Sequence, residues 1–478
     1  MDHDPIEREA PLPPLVVDLD GTLIHSDLLW EALVLFIRTR FLELWRLPFW
    51  LLSGKAGFKQ KLAHAVIPDP ATLPYDHTLL ALLAAEREQG RILVLATGSE
   101  RRFAESVAEH LGLFHHVHAT GDGINLTSHN KARHLVDTYG DKGFDYVGNA
   151  KADRAVWQRS RSAFSVTQRA FDLGDGRSTE QMGAVRGGWG KALLKAMRPR
   201  QWLKNLLVFV PMLAGHQITM AAALDSLLAF VAFSLCASSA YLFNDALDAT
   251  DDRVHPTKRT RPIAAGTLPI AVAMFASPLL AAMALLLCAA FNPLLLAAVF
   301  LYFAATLCYS LYLKRILMID IVTLAILYSM RILGGGAATG IEPSFWLLAF
   351  SFFIFLSLAL LKRHSELLNL ELQGKDKTAG RGYTTADKGP IGIMGINSAF
   401  MSVLIFILYF ESQNALLQYE SPAWLAGVVP LLVFWLGRLW TLSYRGLVNE
   451  DPVLYVSRDK VSLAVFALCV ALATAATF

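Results

Sequence analysis

Three carboxylates at helical spacing stand at the end of a long apolar run. Asp245, Asp248 and Asp252 fall at i, i+3 and i+7, so on a helix they share one face, with Asn244 beside them. Oxygen ligands of this kind suit a hard cation such as Mg²⁺, whose coordination shell is usually completed by substrate phosphates. The stretch predicts a magnesium site for a phosphorylated substrate, and the alternative is a solvated loop of mixed charge. Cations that could neutralise further phosphate charge follow at Lys258, Arg259 and Arg261.

A second set of polar residues follows three short apolar runs near the N-terminus. Each run is a predicted strand, and functional groups of open α/β sheets gather at the carboxyl ends of the strands. The polar residues are Asp18 and Asp20 after the first strand, Thr97 after the second, and Asn149 and Asp153 after the third. The pattern predicts a Rossmann-like α/β domain with a site at that edge of its sheet.

The composition predicts a membrane protein with a soluble part. Of 478 residues, 54% are hydrophobic, which is too apolar for a soluble protein of this length. The formal net charge of +3 gives no indication of a nucleic-acid partner. The four cysteines lie in apolar segments without metal-ligand spacing, so neither a disulfide framework nor a zinc site is expected. The first residues lack the features of a signal peptide, so we expect the N-terminal domain to be cytoplasmic.

Nine apolar segments occupy the second part of the chain. Several are long enough to cross a hydrocarbon core of ~30 Å, which takes about 20 helical residues. Lys and Arg recur in every second connection, whereas the other connections, near 214–222, 290–293, 340–344 and 411–422, contain neither. We expect an all-α bundle of nine spans in the inner (cytoplasmic) membrane, with the C-terminus outside. The segments are 204–221, 222–244, 268–290, 293–312, 318–339, 344–361, 390–411, 423–442 and 460–478.

The motif Asn244-Asp245-x-x-Asp248-x-x-x-Asp252 resembles the first aspartate-rich motif of the UbiA superfamily of intramembrane prenyltransferases. The resemblance covers roughly residues 195–478 and includes the order Arg-Pro-x-Gln-Trp-x-Lys-Asn at 198–205. It implies a bundle of nine helices whose magnesium-bound, phosphorylated substrate enters from the cytoplasmic side.

The motif Asp18-x-Asp20-Gly-Thr, with the other two strand ends and Lys131, resembles the haloacid dehalogenase phosphatase superfamily over roughly residues 12–170. The resemblance implies that Asp18 is the nucleophile and Asp20 the general acid and base. Thr97 would hold the phosphoryl oxygens and Lys131 would steady them. The family usually has an aspartate where this chain has Asn149, so an inactive scaffold is the alternative. The implied magnesium ligands are Asp18, Asp20, Asn149 and Asp153.

Residues 28–52 are apolar and rich in tryptophan, but charges recur every few residues. This pattern favours a helical cap over the phosphatase site, and its apolar face could also dock on the membrane domain or the bilayer. A glycine-rich polar stretch over 171–196 predicts a linker. The predicted division is a tail at 1–11, a phosphatase-like domain at 12–170 with its cap at about 25–85, the linker, and a transmembrane transferase domain at 197–478.

The loop in which aromatic prenyltransferases of the superfamily carry a second aspartate-rich motif is basic here, at Lys362 and Arg363. One acidic motif among many cations suits a donor with one metal-bound diphosphate and further phosphates. The segments 309–320, 331–336, 362–366 and 450–454 are similar to the decaprenyl-phosphate phosphoribosyltransferases. That resemblance implies transfer of 5-phosphoribose from phosphoribosyl diphosphate to a polyprenyl phosphate lipid. The expected substrate-binding residues are Lys204, Asn205, Asn244, Lys258, Arg259, Arg261, Tyr309, Lys314, Asp320, Arg331, Lys362 and Arg363.

Two ionisable residues, Asp320 and Arg331, share one face of a predicted span, which indicates a site; a structural ion pair with other helices is the alternative. We expect Gly334, Gly335, Gly336 and Gly340 to serve close helix packing.

Three functions remain open. The first is the phosphoribosyltransferase, with the N-terminal domain removing the 5-phosphate of its product. The second is an aromatic prenyltransferase of quinone, haem or chlorophyll type. The third is a membrane-anchored phosphatase whose helices only bind lipid. The sequence predicts no oligomeric state.

Overall fold

The structure is a computed structural model that describes residues 12–121, 125–168, 170–377, 382–412, 415, 418–448 and 451–477. The chain divides into two compact units. The first comprises Met1–Met197 and Leu242–Ala276, and the second comprises Arg198–Tyr241 and Ser277–Phe478. This differs from the predicted division near residue 197, because the segment with the aspartate motif belongs to the same unit as the N-terminal domain.

The first unit contains a six-stranded, fully parallel sheet in the order β3-β2-β1-β4-β5-β6. Side chains of β1 alternate between the two faces: Leu15 and Val17 join one buried cluster, and Val16 joins another. Helices cover both faces, as is usual for parallel sheets. The predicted Rossmann-like α/β fold is confirmed, and its haloacid dehalogenase character stays a prediction. The strands are β1 Leu15–Val17, β2 Leu93–Glu100, β3 His116–Thr120, β4 Asp145–Gly148, β5 Ala163–Thr167 and β6 Glu180–Arg186.

Four helices lie between β1 and β2, where the cap is predicted: Leu28–Thr39, Arg46–Leu51, Gly54–Ala65 and His77–Glu88. Phe36 and Phe58 of the cap share a buried cluster with Leu95 of the sheet. Leu42 and Trp45, in contrast, are mostly exposed. Docking of this exposed part on a bilayer stays a prediction. The other helices of this unit are Arg101–Leu111, Ser128–Tyr139, Arg154–Trp157, Gly190–Ala196 and Ala249–Val254.

The last strand, β6, lies inside the stretch predicted to be a linker. It pairs in parallel with β5, where Phe164 is opposite Glu180, so the sheet extends beyond residue 170. The strand carries Gly183, whose φ is +90°. Glycine inside a strand weakens the sequence signal for a strand, which explains why the composition indicated a joint.

Eight helices in the described part of the chain are long and apolar enough to cross a membrane. The predicted all-α membrane bundle is confirmed, and its orientation stays a prediction. In the second unit one buried cluster includes Phe355, Leu360 and Trp435, and another includes Phe233 and Tyr302. The eight are Met220–Leu247, Ile270–Phe291, Pro293–Leu311, Ile319–Thr339, Phe345–Leu372, Thr385–Phe410, Pro422–Tyr444 and Lys460–Thr477.

The first of the nine predicted spans, 204–221, is not a long helix. It contains the end of a 3-10 helix, Pro199–Phe209, and the short helix Val210–Ala214. The short helix ends at Gly215, and the next residue, His216, has a φ of +53°. A positive φ is incompatible with a continuing right-handed helix, which gives eight candidate spans in place of nine.

Two of the four glycines predicted to serve helix packing, Gly334 and Gly335, pack against other helical segments, and Gly336 packs against the turn that follows its own helix. In helix Ile319–Thr339, a Cβ on Gly335 would lie 2.0 Å from the carbonyl oxygen of Val208, and the positions of Gly334 and Gly336 are similarly tight. Gly340 has nothing within contact distance and instead ends the helix with a φ of +72°.

Candidate active sites

The two N-terminal carboxylates lie where β1 ends, and they have different partners. Asp18 is buried, and its Oδ1 lies 2.7 Å from Nζ of Lys131, which helix Ser128–Tyr139 carries. Asp20 accepts hydrogen bonds from the amide of Leu28 at 2.9 Å and from the hydroxyl of Ser99 at 2.5 Å. The predicted residues Asp18, Asp20 and Lys131 therefore converge at one edge of the sheet.

Thr97 completes this group from the end of β2. Its hydroxyl is buried and lies 3.4 Å from Oδ2 of Asp20. The backbone carbonyl of the next residue, Gly98, accepts a hydrogen bond from Lys59 of the cap at 2.7 Å. Burial lowers the pKa of Lys59, and the carboxylates of Asp20 and Asp27 oppose that shift. The cap thus brings a cation to this edge of the sheet.

The loop after β4, which is the third of the predicted strand ends, is held by a chain of hydrogen bonds. Nζ of Lys131 donates to the hydroxyl of Tyr146 at 3.0 Å, and this hydroxyl donates to Oδ1 of Asp153 at 3.0 Å. The other oxygen of Asp153 accepts from the backbone amides of Asn149 and Ala150 at 3.1 and 3.0 Å. Asp153 consequently fixes the loop after β4 and its neighbouring lysine.

Burial shifts the pKa values of Asp18 and Asp20 in the same direction. It raises the pKa of Asp18 to about 7, although the ammonium of Lys131 opposes the shift. It raises the pKa of Asp20 to about 6, and the nearby carboxylate of Asp27 adds to this effect. A buried carboxylate beside an ammonium, with a second carboxyl held by neutral donors, has the groups needed for nucleophilic attack and proton transfer.

The aspartate motif lies on two consecutive helices. Met220–Leu247 carries Asp245, and Ala249–Val254 carries Asp252; Asp248 caps the second helix. Helical hydrogen bonding continues across this break, from the amide of Asp248 to Asn244 and from the amide of Asp252 to Asp248. The three carboxylates therefore keep nearly helical spacing. The side-chain amide of Asn244 donates to Asp248 at 3.0 Å.

A guanidinium lies between two of these carboxylates. Nη1 of Arg261 is 3.3 Å from Oδ1 of Asp245 and 2.6 Å from Oδ2 of Asp252. Burial raises the pKa of Asp252, and Arg261 opposes that shift. Two acidic side chains that converge on one positively charged nitrogen, with oxygen donors only, fit the chemistry of a hard cation such as Mg²⁺. Lys258 and Arg259 are exposed on the following turn.

No three His, Cys, Asp or Glu side chains of the described residues are already gathered as a metal site. Both predicted magnesium sites therefore stay predictions. In the N-terminal site the oxygen donors are Asp18, Asp20, Asp153 and the side-chain carbonyl of Asn149. The side chain of Asn149 approaches the first motif closely, because a Cβ on Gly21 would lie 2.0 Å from its Nδ2.

In the second unit, two of the predicted cations share one carboxylate. Oδ2 of Asp451 lies 2.5 Å from Nζ of Lys204 and 3.5 Å from Nζ of Lys362. Although burial raises the pKa of Asp451, these two ammonium groups hold it below its usual value. The ring of Tyr328 lies 5.5 Å from the ammonium of Lys204 and 5.3 Å from the guanidinium of Arg331. Three cations therefore surround Tyr328 and one carboxylate.

Arg331 and Asp320 have separate partners within the second unit. Nε of Arg331 donates to the side chain of Asn205 at 2.8 Å, and its Nη2 donates to the hydroxyl of Tyr302 at 2.8 Å. Asp320 pairs with Arg363 at 2.5 Å and accepts a hydrogen bond from the hydroxyl of Tyr383. Each of the two ionisable residues is thus held by other parts of the helical unit.

Two other predicted substrate-binding residues are half-buried. Tyr309 is half-buried near the end of helix Pro293–Leu311, and Lys314 is half-buried in the turn that follows. Glu450, which belongs to one of the similar segments, lies outside the described residues.

Several site residues were not predicted. Ser99 stands two residues after Thr97 in the same strand, and Tyr146 occupies a position of β4 that looks like ordinary core. Asp451 belongs to a similar segment but had no assigned role, because nothing in a loop sequence shows that two lysines from other segments will reach it. Tyr302 and Tyr328 lie in apolar helices, where aromatic residues usually serve packing.

Comparison with known proteins gives a family match, two relatives and one similar solved structure. The sequence pattern of the UbiA prenyltransferase family matches residues 208–458, more than half of the chain. The uncharacterized protein y4nM of Sinorhizobium fredii is 35% identical over 98% of this chain and 91% of its own. The decaprenyl-phosphate phosphoribosyltransferase of Mycolicibacterium smegmatis is 33% identical over 57% of this chain and 88% of its own. A solved UbiA homolog from Archaeoglobus fulgidus, bound to GPP and Mg²⁺, is 17% identical with a TM-score of 0.46, over 59% of this chain and 99% of that one.

Proposed function

Because the chain belongs to the UbiA prenyltransferase family, we propose that it transfers the phosphoribosyl group of phosphoribosyl diphosphate to a polyprenyl phosphate. An oxygen of the lipid phosphate bonds to C1 of the ribose, the bond from C1 to the diphosphate breaks, and the diphosphate leaves with the electron pair. Asp245, Asp248 and Asp252 would hold Mg²⁺, which supplies positive charge to the departing diphosphate. Similarity to the Mycolicibacterium phosphoribosyltransferase supports this choice of substrates.

The cations around Tyr328 are the observation that carries the proposal. Lys204, Lys362 and Arg331 bring three positive charges, and Asp451 brings one negative charge. Two positive charges remain for a substrate. A phosphate monoester carries nearly two negative charges at neutral pH, so this cluster suits the 5-phosphate of the donor or the phosphate of the lipid. A prenyl diphosphate has an apolar tail and offers this cluster no phosphate group beyond its diphosphate.

The test is a transfer assay with the full chain in detergent. Radiolabelled phosphoribosyl diphosphate, Mg²⁺ and a polyprenyl phosphate are supplied, and label is followed into the organic phase. We expect label to enter the lipid, and we expect Asp245→Ala to abolish this. Asp225→Ala, on the same helix but outside the motif, is the matched control and should retain transfer.

The aromatic prenyltransferase is the competing function. It predicts that a prenyl diphosphate is consumed with an aromatic acceptor, while no phosphoribose enters lipid. That result would replace the proposal. The end of the fifth candidate span, helix Phe345–Leu372, argues against it, because Lys362 and Arg363 stand there where a second acidic motif would be required.

We also propose that the N-terminal domain removes the 5-phosphate from the lipid product. An Oδ atom of Asp18 bonds to phosphorus, and the bond from phosphorus to the ribose oxygen breaks. Asp20 gives its proton to that oxygen and then takes a proton from the water that hydrolyses the aspartyl phosphate. Lys131, 2.7 Å from Asp18, neutralises charge that is shared with the phosphoryl group.

Product analysis tests this second step. In Asp18→Asn, we expect labelled lipid to keep its second phosphate, whereas the wild-type chain should release it as inorganic phosphate. Asp141→Asn, which alters an exposed ion pair with Arg159 in the same domain, is the control. If wild-type and Asp18→Asn chains give the same phosphorylated lipid, the phosphatase role is refuted and the inactive scaffold takes its place.

A further inference from the structure

One cation of the aspartate segment, Arg253, is bound to the cap. Nη1 of Arg253 donates to Oε2 of Glu31 at 3.1 Å, and Nη2 donates to Oε1 at 2.6 Å. The two side chains are only 8% and 5% exposed. A buried ion pair with two parallel hydrogen bonds has a fixed geometry, and loss of one partner leaves the other charge without compensation.

Arg253 also donates hydrogen bonds to two backbone carbonyls. Nε donates to the carbonyl of Ala264 at 3.2 Å, and Nη1 also donates to the carbonyl of Thr72 at 3.3 Å. Arg253 directly follows Asp252 in helix Ala249–Val254. Because the helix is short, the position of Asp252 depends on where Arg253 is held.

The cap helix Leu28–Thr39 contacts the aspartate segment at two further places. Nη2 of Arg38 lies 2.6 Å from Oδ2 of Asp251, and the ring of Trp30 packs edge-on against Phe275 with 5.3 Å between centroids. These contacts, together with the Glu31 pair, extend over about two turns of the helix. The segment is thus attached along one side of the cap rather than at a single point.

The turn after the basic residues also fits closely against the N-terminal domain. A Cβ on Gly266, whose φ is +69°, would lie 2.3 Å from Cβ of His25. Only glycine allows this approach without a shift of the backbone. The segment that supplies Asp252 and Arg261 is therefore packed on the N-terminal domain at both ends.

We propose that Glu31, a residue of the phosphatase-like cap, is a positioning residue for the transfer reaction. It acts through Arg253 and holds the helix of Asp252 in the orientation that places this carboxylate next to Asp245. The inference rests on the proposed function, since transfer at the aspartate motif is the reaction affected. The N-terminal domain then serves the transferase structurally, whatever its own activity.

The test uses the full chain in detergent and compares Glu31→Gln, Arg253→Gln and the double variant. Glu43→Gln is the matched control, because Glu43 lies in the same cap and pairs only with the exposed Arg40 and Arg46 among the contacts of the described residues. Hydrogen exchange of peptides covering 249–268 is measured without substrate or metal. Transfer kinetics give separate KM values for phosphoribosyl diphosphate and for the lipid.

We expect faster exchange over 249–268 in Glu31→Gln and a KM for phosphoribosyl diphosphate that rises roughly tenfold. The KM for the lipid should stay unchanged. A general loss of stability would not raise the KM for one substrate selectively. Since Glu31 acts through Arg253, the double variant should be no worse than the worse single variant. Should Glu31→Gln fail to fold, Glu31→Asp, which keeps the charge but shortens the side chain, is compared in the same way.

Unchanged exchange and unchanged kinetics in Glu31→Gln would overturn the inference, and so would additive losses in the double variant. Failure of the proposed function would give a different experimental result. In that case the wild-type chain transfers no phosphoribose at all, while the exchange measurement still reports whether Glu31 holds the aspartate segment.

Discussion

Asp18 and Asp20 lie two residues apart, yet the chain gives them different electrostatic partners. Asp18 faces the ammonium of Lys131, whereas Asp20 accepts hydrogen bonds from three neutral donors, the amide of Leu28 and the hydroxyls of Ser99 and Thr97. An ammonium favours the ionised form that a nucleophile needs. Neutral donors orient a carboxyl group without adding a charge, which leaves it able to exchange a proton.

At the scale of single residues, Ser99→Ala tests this division. The variant removes the 2.5 Å hydrogen bond to Asp20 but leaves Thr97 and the backbone amide in place. Hydrogen bonds to charged groups contribute about 1.5–3 kcal/mol, so hydrolysis of a phosphate ester should slow by roughly 10- to 100-fold. Ser165→Ala is the control and should have little effect. It removes a buried hydroxyl of β5 that is hydrogen-bonded to Thr167 of the same strand. Equal losses in both variants would mean that only folding is affected.

Two elements of the fold depend on close packing or on a buried ionisable group. In helix Ile319–Thr339 the packing partner of Gly335 is backbone, which cannot rotate away as a side chain can. In the N-terminal sheet, His118 of β3 lies 3.0 Å from His134 and 3.0 Å from the hydroxyl of Tyr139, both on helix Ser128–Tyr139. Each arrangement predicts a measurable effect on stability.

Gly335→Ala should destabilise the helical unit by about 1–3 kcal/mol, the usual cost of overpacking. The added methyl group would meet the carbonyl of Val208 at 2.0 Å and force the two segments apart. Thermal unfolding of the full chain in detergent measures the change. Gly437→Ala is the control, because nothing lies within 4 Å of its added methyl group and alanine favours a helix. A tolerated Gly335→Ala would contradict the packing described here.

His118 predicts a loss of stability in mild acid. Burial lowers its pKa from 6.5 to about 4, and the neighbouring His134 and His116 add to the shift. Between these two pH values the unfolded chain binds more protons than the folded one, so stability present above about pH 6.5 falls as the pH falls. His118→Gln should therefore lose less thermal stability than wild type between about pH 7.5 and pH 5. The exposed His77→Gln should behave as wild type, and parallel curves for all three chains would refute the assignment.

At the scale of the whole molecule, the aspartate segment and the phosphatase-like domain belong to one compact unit. The cap helix Leu28–Thr39 binds Asp20 at its first turn, and its residue Glu31 binds Arg253. Two sets of catalytic candidates are therefore attached to the same helix, about one turn apart along its axis. Under the proposed function, a lipid product formed by one set would remain on the polypeptide that carries the other.

Mixing two complementary variants tests this arrangement. Asp18→Asn should form phosphorylated lipid, and Asp245→Ala should retain only the hydrolysis step. When the two are reconstituted in separate nanodiscs and mixed, we expect dephosphorylated lipid to appear only after a lag, because the lipid must pass between discs. The wild-type chain should form it without a lag, since both steps share one polypeptide. A mixture that matches the wild type from the first time points would exclude an advantage of the fusion.

The sequence by itself determined the fold classes and most of the acidic residues. Alternating and continuous apolar runs report local backbone structure directly, and motifs such as Asp18-x-Asp20 and Asn244-Asp245 are contiguous in the chain. The eight long helices were recognisable because apolar length is a local property. The first predicted span was misread because its apolar composition gave no sign of the turn at Gly215 and His216. β6 was missed because its sequence mixes polar and apolar residues without a continuous apolar run and contains a glycine.

Only the tertiary structure decided which distant residues meet. Arg331 and Asp320 share a helix, yet their partners are Asn205 and Arg363 from other segments. Glu31 and Arg253 are separated by more than two hundred residues and form one buried pair. Such pairings depend on the packing of whole elements, and single charges in a sequence carry no record of their partner. The physical reason is that long-range contacts are selected by burial and geometry rather than by spacing along the chain.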